Sequence, residues 1–271
     1  MIFNGRAFVK ERLRVLQGER KKFGPLSLGI VVGSADPVIS SYVRIKEKTA
    51  LALDISLTRY PVTEQDSTEA VIETVRAAAT LHDGVIVQLP LGFAHDIERI
   101  VNAIPVSVDV DVISQSAGEL FIQGKHVVLP PVASAINEII DAYDIATDGV
   151  RAVVVGKGRL VGMPAYHMLK MRGADVVAFD KNDELEEKLR EANIIVLGAG
   201  SPHLVTPDMV QEGVVVFDAG TSESGGAIVG DADPAVGDKA SFFTPVPGGI
   251  GPVAVVEIFA NLLALKTTPR S

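Results

Sequence analysis

Short apolar segments alternate with helical segments along this chain of 271 residues, and that alternation restricts the fold more than any other feature. Segments typical of strands cover residues 26–32, 57–60, 84–88, 151–155, 175–179, 193–197 and 214–218. Segments with helical periodicity cover residues 40–53, 67–81, 134–143, 162–172, 183–191 and 253–265. Strands that alternate with helices predict parallel sheets covered by helices, which is an α/β fold.

The pattern divides into two halves, and the second half has the strand and helix order of a Rossmann-type domain. The length also allows two modest domains. We therefore predict an N-terminal parallel α/β domain of residues 1–125, completed by the C-terminal helix within residues 253–271. Residues 126–252 are predicted to form the Rossmann-type domain.

Composition excludes several classes of function. A net charge of −9 argues against nucleic acid or an anionic membrane as partner, because those are held mainly by Lys and Arg. The absence of cysteine excludes disulfides and thiolate chemistry, and the five histidines lack metal-ligand spacing, so no metal is expected. We find no signal-peptide pattern and no apolar run close to the ~18 residues that span a bilayer, so we expect a cytoplasmic protein.

Residues 244–252 read Thr-Pro-Val-Pro-Gly-Gly-Ile-Gly-Pro, with three prolines and three glycines. Proline fixes φ, and glycine permits positive φ or the close approach of a ligand. The run is therefore predicted to be a rigid loop beside a bound molecule, outside any helix or strand interior. A plain interdomain linker is the alternative, but the patterned flanks favour a shaped loop.

A second glycine-rich turn follows the strand at residues 151–155 and contains Gly156, Gly158 and Gly162. The third glycine comes one residue later than in G-x-G-x-x-G. The turn indicates a pyrophosphate site at a helix N-terminus, with a simple strand-to-helix turn as the alternative. Lys157 and Arg159 add positive charge that could hold a phosphate.

Asp180 ends the next strand, where an acid commonly accepts hydrogen bonds from an adenosine ribose. The alternative is a loop residue or the N-cap of the following helix. The acid would repel a 2′-phosphate, whereas Lys157, Arg159 and Lys181 would attract one. Three cations against one acid favour NADP, with NAD as the alternative.

Tyr42 and Lys46 are four residues apart in a helical segment and so share one face. A lysine in a cleft can have a lowered pKa and transfer protons, whereas an exposed lysine stays protonated. Gln88 ends an apolar strand, at the sheet edge where ligands gather, although it could also merely cap the strand.

Asp109 and Asp111 alternate with valines, so in an extended segment both acids share one face. That face could hold an amino-pyrimidine ring through its N–H donors, or it could face water.

Together these residues resemble the methylenetetrahydrofolate dehydrogenase/methenyltetrahydrofolate cyclohydrolase family of bifunctional one-carbon enzymes. The resemblance covers nearly the whole chain, and three elements make it specific: Tyr-Val-x-x-Lys at residues 42–46, Val-Gln-Leu-Pro-Leu at 87–91 and Thr-Pro-Val-Pro-Gly-Gly at 244–249. Shorter matches are Asp-Val-Asp at residues 109–111, Val-Val-Gly at 154–156 and Gly-Asp at 230–231.

The resemblance implies a role for each site residue. Lys46 is the general acid/base, Gln88 assists it, Tyr42 positions the folate and Asp111 binds the pterin. Further residues implied in folate binding are Pro247, Gly248 and Gly249, and those implied in NADP binding are Gly156, Lys157, Gly158, Arg159, Asp180, Lys181 and Thr221. A homodimer is also implied.

The implied reactions are oxidation of 5,10-methylenetetrahydrofolate with NAD(P) and hydrolysis of the methenyl product to 10-formyltetrahydrofolate. Alternatives are a monofunctional cyclohydrolase, an NAD-linked dehydrogenase and a non-catalytic folate- or nucleotide-binding protein. The presence of both Tyr42 and Lys46 argues against the last, because binding alone needs no positioned proton carrier.

Several residues depart from the family pattern. Val112 replaces a glycine after Asp-x-Asp, a change expected to alter the pterin loop. Residues 130–133 replace Pro-Cys-Thr-Pro, residues 157–158 replace Arg-Ser, residues 180–181 replace His-Ser and residues 253–254 replace Met-Thr. The residues implied in hydrolysis thus match the family better than those implied in nucleotide binding.

Overall fold

The computed structural model describes residues 1–33, 37–92, 96–224 and 227–267. The chain forms two compact units. The three-stranded unit comprises residues 10–131 and 255–271, and the five-stranded unit comprises residues 1–9 and 132–254. The predicted two-domain α/β fold is confirmed.

The three-stranded unit contains a parallel sheet with the strand order β2-β1-β3, formed by β1 (Leu26–Val32), β2 (Ile55–Pro61) and β3 (Gly84–Gln88). Helices α2 (Pro37–Ala52) and α3 (Thr68–Leu81) connect these strands. Ser67 caps α3 by accepting a hydrogen bond from the Ala70 N–H, and apolar side chains at helical spacing bury its inner face. Helices α1 (Gly5–Arg20), α4 (Ile97–Val101) and α5 (Gln115–Ile122) were not predicted.

The five-stranded unit contains a parallel sheet with the order β10-β7-β6-β4-β5. Its strands are β4 (Arg151–Val155), β5 (Asp175–Phe179), β6 (Ile194–Leu197), β7 (Val215–Asp218) and β10 (Phe242–Thr244), and β8 (Ser222–Ser224) pairs with β9 (Ala227–Val229) in a separate antiparallel ribbon. The helices of this region are α6 (Pro131–Ala142), α7 (Gly162–Met171), α8 (Glu186–Arg190), α9 (Val236–Lys239) and the start of α10 (Ile250–Thr267). The parallel central strands are buried on both faces, as β-branched runs predict.

The N-terminal residues belong to the five-stranded unit, whereas the predicted limits placed them in the first domain. Ile2 forms a parallel bridge with Phe243, and the Phe3 N–H donates to the Phe243 carbonyl at 2.8 Å. The Phe3 ring also packs against Tyr143 and Phe242. As limits of functional domains, the sequence-based boundaries stay a prediction.

The Pro/Gly run is shorter as a loop than predicted, because Thr244 ends β10 and α10 begins at Ile250. Gly251 and Pro252 therefore lie in the first turn of α10. Proline is tolerated there, since the first N–H groups of a helix have no intrahelical acceptor.

Helix α10 has 18 residues with a mean hydropathy of 1.5, so by length and composition it could cross a membrane. The expectation that no apolar run approaches this length was wrong. The helix is 67% buried, and its polar side chains have partners within the three-stranded unit. Arg12 donates to Glu257 at 2.8 and 3.0 Å, and the Asn261 amide donates to the Val110 and Leu129 carbonyls at 2.8 Å. The predicted packing of this helix on the first half of the chain is confirmed, and its burial is that of a core helix.

Candidate active site and dinucleotide site

Lys46 and Gln88 meet at the carboxyl end of β3, as the implied roles require. The Lys46 side chain on α2 is 7% exposed, and its Nζ donates to Gln88 Oε1 at 2.5 Å. Gln88 Nε2 donates to the Leu89 carbonyl at 3.0 Å, which turns the amide oxygen towards the lysine. The alternative of a solvent-exposed lysine was wrong.

The surroundings of Lys46 make it suitable for proton transfer. Burial lowers its pKa, and the negative charge of Asp111 opposes that change. Burial raises the pKa of Asp111 to about 6, which the charge of Lys46 opposes. A lysine whose charged form is destabilised can exchange a proton nearer to neutral pH than a solvated one.

The segment that carries Asp109 and Asp111 is not extended, so the condition under which both acids would share one face is not met. The chain forms a 3₁₀ turn at Val106–Val108 and then bends, with Asp109 fully buried. The Asp109 carboxylate accepts hydrogen bonds from the N–H groups of Ile113, at 3.1 Å, and Ser114, at 2.8 Å. Such local bonds from side chain to backbone compete with extended structure. Asp109 therefore shapes the turn, and Asp111 interacts with Lys46.

Val112 has a backbone conformation that glycine adopts more readily than valine. Its φ is 53°, in the left-handed region where β-branched residues are rare, and its side chain is 7% exposed. The expected alteration of the pterin loop stays a prediction. A residue in this conformation carries a backbone strain of about 1–3 kcal/mol, and burial of the valine side chain offsets part of it.

Tyr42 lies one helical turn before Lys46 on α2 and is half-buried. This position agrees with the four-residue spacing, which places both side chains on the same face.

The glycine turn between β4 and α7 depends on close backbone packing. Gly156 is buried with φ at 97°, and a side chain there would overlap the backbone of Gly198. A side chain at Gly162 would overlap the Gly156 carbonyl, whereas Gly158 faces open space. The turn leads into α7, a helix of 10 residues. At its start the Met163 N–H donates to the Gly158 carbonyl at 3.1 Å, and the next residue is a proline without an N–H. A narrow turn with an open centre at a helix N-terminus fits a pyrophosphate.

Lys157 and Asp180 form an ion pair at the ends of neighbouring strands β4 and β5, with Nζ and Oδ2 3.4 Å apart. The Asp180 N–H donates to Asp183 Oδ2 at 2.7 Å. Helix α8 begins only at Glu186, with Leu185 as its N-cap, so the alternative that Asp180 caps it was wrong. Arg159, Lys181 and Thr221 are all exposed.

The loop at residues 245–249 is tightly packed within the five-stranded unit. Gly248 has φ at 101°, and a side chain on Gly249 would lie 2.5 Å from the Pro245 carbonyl oxygen. Pro247 is exposed and Gly249 is buried. These contacts are those of a shaped loop rather than of a free linker.

Two buried acids behind the dinucleotide turn were not predicted as site residues. Asp218 ends β7 and is 1% exposed, and Asp231 follows β9 and is fully buried. Each carboxylate accepts hydrogen bonds from three backbone N–H groups. Two features of the sequence could have identified them: Asp218 ends an apolar run, and Asp231 belongs to a Gly-Asp pair.

These features define an α/β enzyme with a buried lysine for proton transfer and a separate dinucleotide-binding fold. Residues 4–111 match the family profile described as tetrahydrofolate dehydrogenase/cyclohydrolase, catalytic domain. Residues 130–269 match the profile of the NAD(P)-binding domain of the same family. The chain belongs to the tetrahydrofolate dehydrogenase/cyclohydrolase family.

Individual relatives agree with this assignment. The bifunctional protein FolD of Methanoculleus marisnigri is 36% identical over 269 residues, which cover 96% of this chain and 94% of that protein. The crystal structure of the bifunctional FolD enzyme of Campylobacter jejuni has a TM-score of 0.93 at 28% identity and covers 98% of this chain and 99% of that one. The Trypanosoma brucei enzyme, complexed with NADP cofactor and inhibitor, has a TM-score of 0.91 at 27% identity, with 98% and 97% covered.

Proposed function

We propose that this chain oxidises 5,10-methylenetetrahydrofolate to the 5,10-methenyl compound with NADP and hydrolyses that product to 10-formyltetrahydrofolate. The observation that carries the proposal is the buried Lys46 amine, hydrogen-bonded to Gln88 at the end of β3. It belongs to a chain that matches both domains of the family.

In the hydrolysis, water adds to the methenyl carbon and the bond from that carbon to the ring nitrogen N5 breaks. Because burial lowers its pKa, Lys46 can start as the neutral amine and accept the proton of the attacking water. The resulting ammonium donates a proton to N5 as it leaves, and one proton is released overall. Gln88 keeps Nζ oriented throughout.

Asp111 and Tyr42 are proposed to place the folate against Lys46. A carboxylate can accept charge-assisted hydrogen bonds from the N–H groups of the pterin, and the charge of Asp111 also stabilises the ammonium form of Lys46. The half-buried Tyr42 ring lies on the same helix face as the lysine and offers a flat surface for the folate.

For the oxidation, bound NADP would supply a nicotinamide ring as acceptor for the hydride of the one-carbon bridge. The turn from Gly156 to Gly162 is proposed to hold the pyrophosphate beside the positive end of the α7 dipole. The proposed further contacts are Thr221 with the coenzyme and Pro247, Gly248 and Gly249 with the folate.

The choice of NADP rests on charge. Lys157 lies 3.4 Å from Asp180, so it compensates the one acid that would repel a 2′-phosphate. Arg159 and Lys181 are exposed near the same turn and add positive charge. The Trypanosoma brucei relative is complexed with NADP. Charge-assisted hydrogen bonds to a 2′-phosphate outweigh the repulsion from Asp180, because this exposed carboxylate can rotate into water.

We also propose a homodimer in the cytoplasm. Family membership supports the dimer. Light scattering on the purified protein and fractionation of cells that express it would test the two proposals.

The decisive experiment follows the methenyl absorbance with NAD and with NADP separately, together with hydrolysis of the methenyl compound in the absence of coenzyme. We expect oxidation with a higher kcat/KM for NADP, and hydrolysis without coenzyme. Hydrolysis alone would indicate a monofunctional cyclohydrolase, and oxidation only with NAD an NAD-linked dehydrogenase. Folate binding without turnover would refute catalysis.

A further inference from the structure

The loop that follows β6 is held by a side chain 30 to 32 residues away in the chain. Asp231 Oδ2 accepts hydrogen bonds from the N–H groups of Ala199, at 2.6 Å, and Gly200, at 3.1 Å. Its Oδ1 accepts one from Ser201 at 2.7 Å. Three successive N–H groups that converge on one carboxylate form an anion-binding concavity, filled here by the protein's own acid.

The same loop touches the dinucleotide turn. A side chain on Gly156 would overlap the Gly198 backbone, and a side chain on Gly198 would overlap Val161. Gly198 therefore packs between the first glycine of the turn and the residue before α7. A shift of the loop after β6 would displace both ends of the turn at residues 156–162, because the close packing leaves no space for the loop to move without the turn.

A second acid fixes the segment that carries Asp231. Asp218 Oδ1 accepts from the Asp231 N–H at 3.2 Å and from the Gly220 N–H at 2.9 Å, and its Oδ2 accepts from Ala232 at 2.9 Å. The Asp218 N–H in turn donates to Thr244 Oγ1 at 2.8 Å. The carboxyl ends of β6 and β7 are thus connected to strand β10 through buried hydrogen bonds.

We propose that Asp231 is a positioning residue for the dinucleotide site, which acts by holding residues 199–201 so that Gly198 supports the turn at residues 156–162. The inference rests on the proposed dehydrogenase function. Asp231 is fully buried and its carboxylate is directed into the loop, so it acts on the coenzyme only through the backbone. Loss of the carboxylate leaves three backbone donors without their acceptor and allows the loop to turn towards water.

The test compares Asp231→Ala with wild type in the full-length protein. We expect Kd for NADP, measured by titration calorimetry, to rise about 10–100-fold, since small displacements of positioning elements have effects of that size. The kcat/KM of coenzyme-independent hydrolysis should stay within about twofold, because Lys46 lies in the other compact unit. Amide exchange at residues 199–201 should accelerate in the variant.

Rescue of NADP affinity by sodium formate distinguishes positioning of the loop from general destabilisation of the protein. If the vacated concavity binds an anion, formate should restore NADP affinity to Asp231→Ala in a saturable way and leave wild type unchanged. Asp233→Asn is the matched control, because its carboxylate accepts only a local bond from Ala235 at 2.8 Å among the bonds described for it. We expect its NADP affinity to be that of wild type.

Unchanged NADP affinity in a folded Asp231→Ala protein would overturn the inference. An equal loss of hydrolysis and NADP binding, with no response to formate, would also overturn it and indicate general destabilisation. If the alanine variant does not fold, Asp231→Asn, which keeps the volume and one acceptor oxygen, makes the same comparison. A wild-type protein that hydrolyses the methenyl compound but binds neither NADP nor NAD would refute the proposed dehydrogenase itself.

Discussion

The proton-transfer site at Lys46 and the candidate dinucleotide site differ in whether side chains or backbone form them. In the three-stranded unit the chemistry resides in buried side chains, since Lys46 is 7% exposed and its pKa is lowered by burial. In the five-stranded unit the site consists of backbone, where Gly156 and Gly162 leave no space for a side chain and exposed charges lie around them. Proton transfer requires a desolvated group, whereas anchoring of a pyrophosphate requires shape and N–H donors. Among the side chains that line the two sites, those of the first should therefore be the more sensitive to substitution.

The largest effect is expected from Lys46→Met, which keeps the alkyl stem but removes the amine. Cyclohydrolase kcat should fall about 10²–10⁴-fold, the usual contribution of a general acid/base. Folate and coenzyme affinity should be retained, as measured by equilibrium binding. Lys48→Met is the matched control, because Lys48 is exposed on the same helix. This variant should hydrolyse the methenyl compound at the wild-type rate. Near-normal hydrolysis by Lys46→Met would remove this residue from the mechanism.

The next effect concerns Asp111→Ala. Folate KM should rise about 10–100-fold, because hydrogen bonds to a charged group contribute about 1.5–3 kcal/mol. Asp111 raises the pKa of Lys46, so its loss should move the acid limb of the hydrolysis pH profile to lower pH. Coenzyme Kd serves as the internal control and should not change. A variant with normal folate affinity and weaker coenzyme binding would assign this acid to the other site.

A smaller effect is expected from the exposed pair of the five-stranded unit. Lys157→Ala should raise KM about fivefold for NADP and less for NAD, since exposed charge pairs contribute about 1 kcal/mol or less. Asp180→Ala should improve the use of NADP. Steady-state kinetics with both coenzymes checks this. If wild type prefers NAD and the preference survives Lys157→Ala, Asp180 governs the ribose and the basic residues face solvent.

The smallest effect is expected from Val112→Gly, which tests whether backbone shape also matters in the lysine site. Loss of the buried side chain lowers the free energy of unfolding by about 1.5–3 kcal/mol, and relief of the strained positive φ raises it by about 1–3 kcal/mol. The free energy of unfolding in urea should therefore change by less than about 1 kcal/mol. Val110→Gly, also buried but outside the positive-φ residues, should destabilise by several kcal/mol. Equal losses in both variants would show that Val112 is not strained.

Local sequence features predicted the elements that depend on short-range order. The limits of β1, β3, β4 and β5 agree with the predicted ones, because apolar runs bounded by turn residues leave few alternatives. Helix α1 was missed because many of its residues are polar, and Leu16 and Arg20 are its only buried side chains. Alternation alone predicts an extended segment at Asp109, but the bonds from its carboxylate to the backbone of Ile113 and Ser114 bend the chain.

The sequence by itself determined the α/β class, the shared helix face of Tyr42 and Lys46, and the glycine turn, because these depend on residues close together in the chain. Only the tertiary structure decided that Lys46 is buried against Gln88, 42 residues away, and that Asp231 holds a loop 30 to 32 residues away. A pKa depends on desolvation and on neighbouring charges, and a buried carboxylate depends on donors from other segments. Neither can be read from spacing, since the chain must fold before those groups meet.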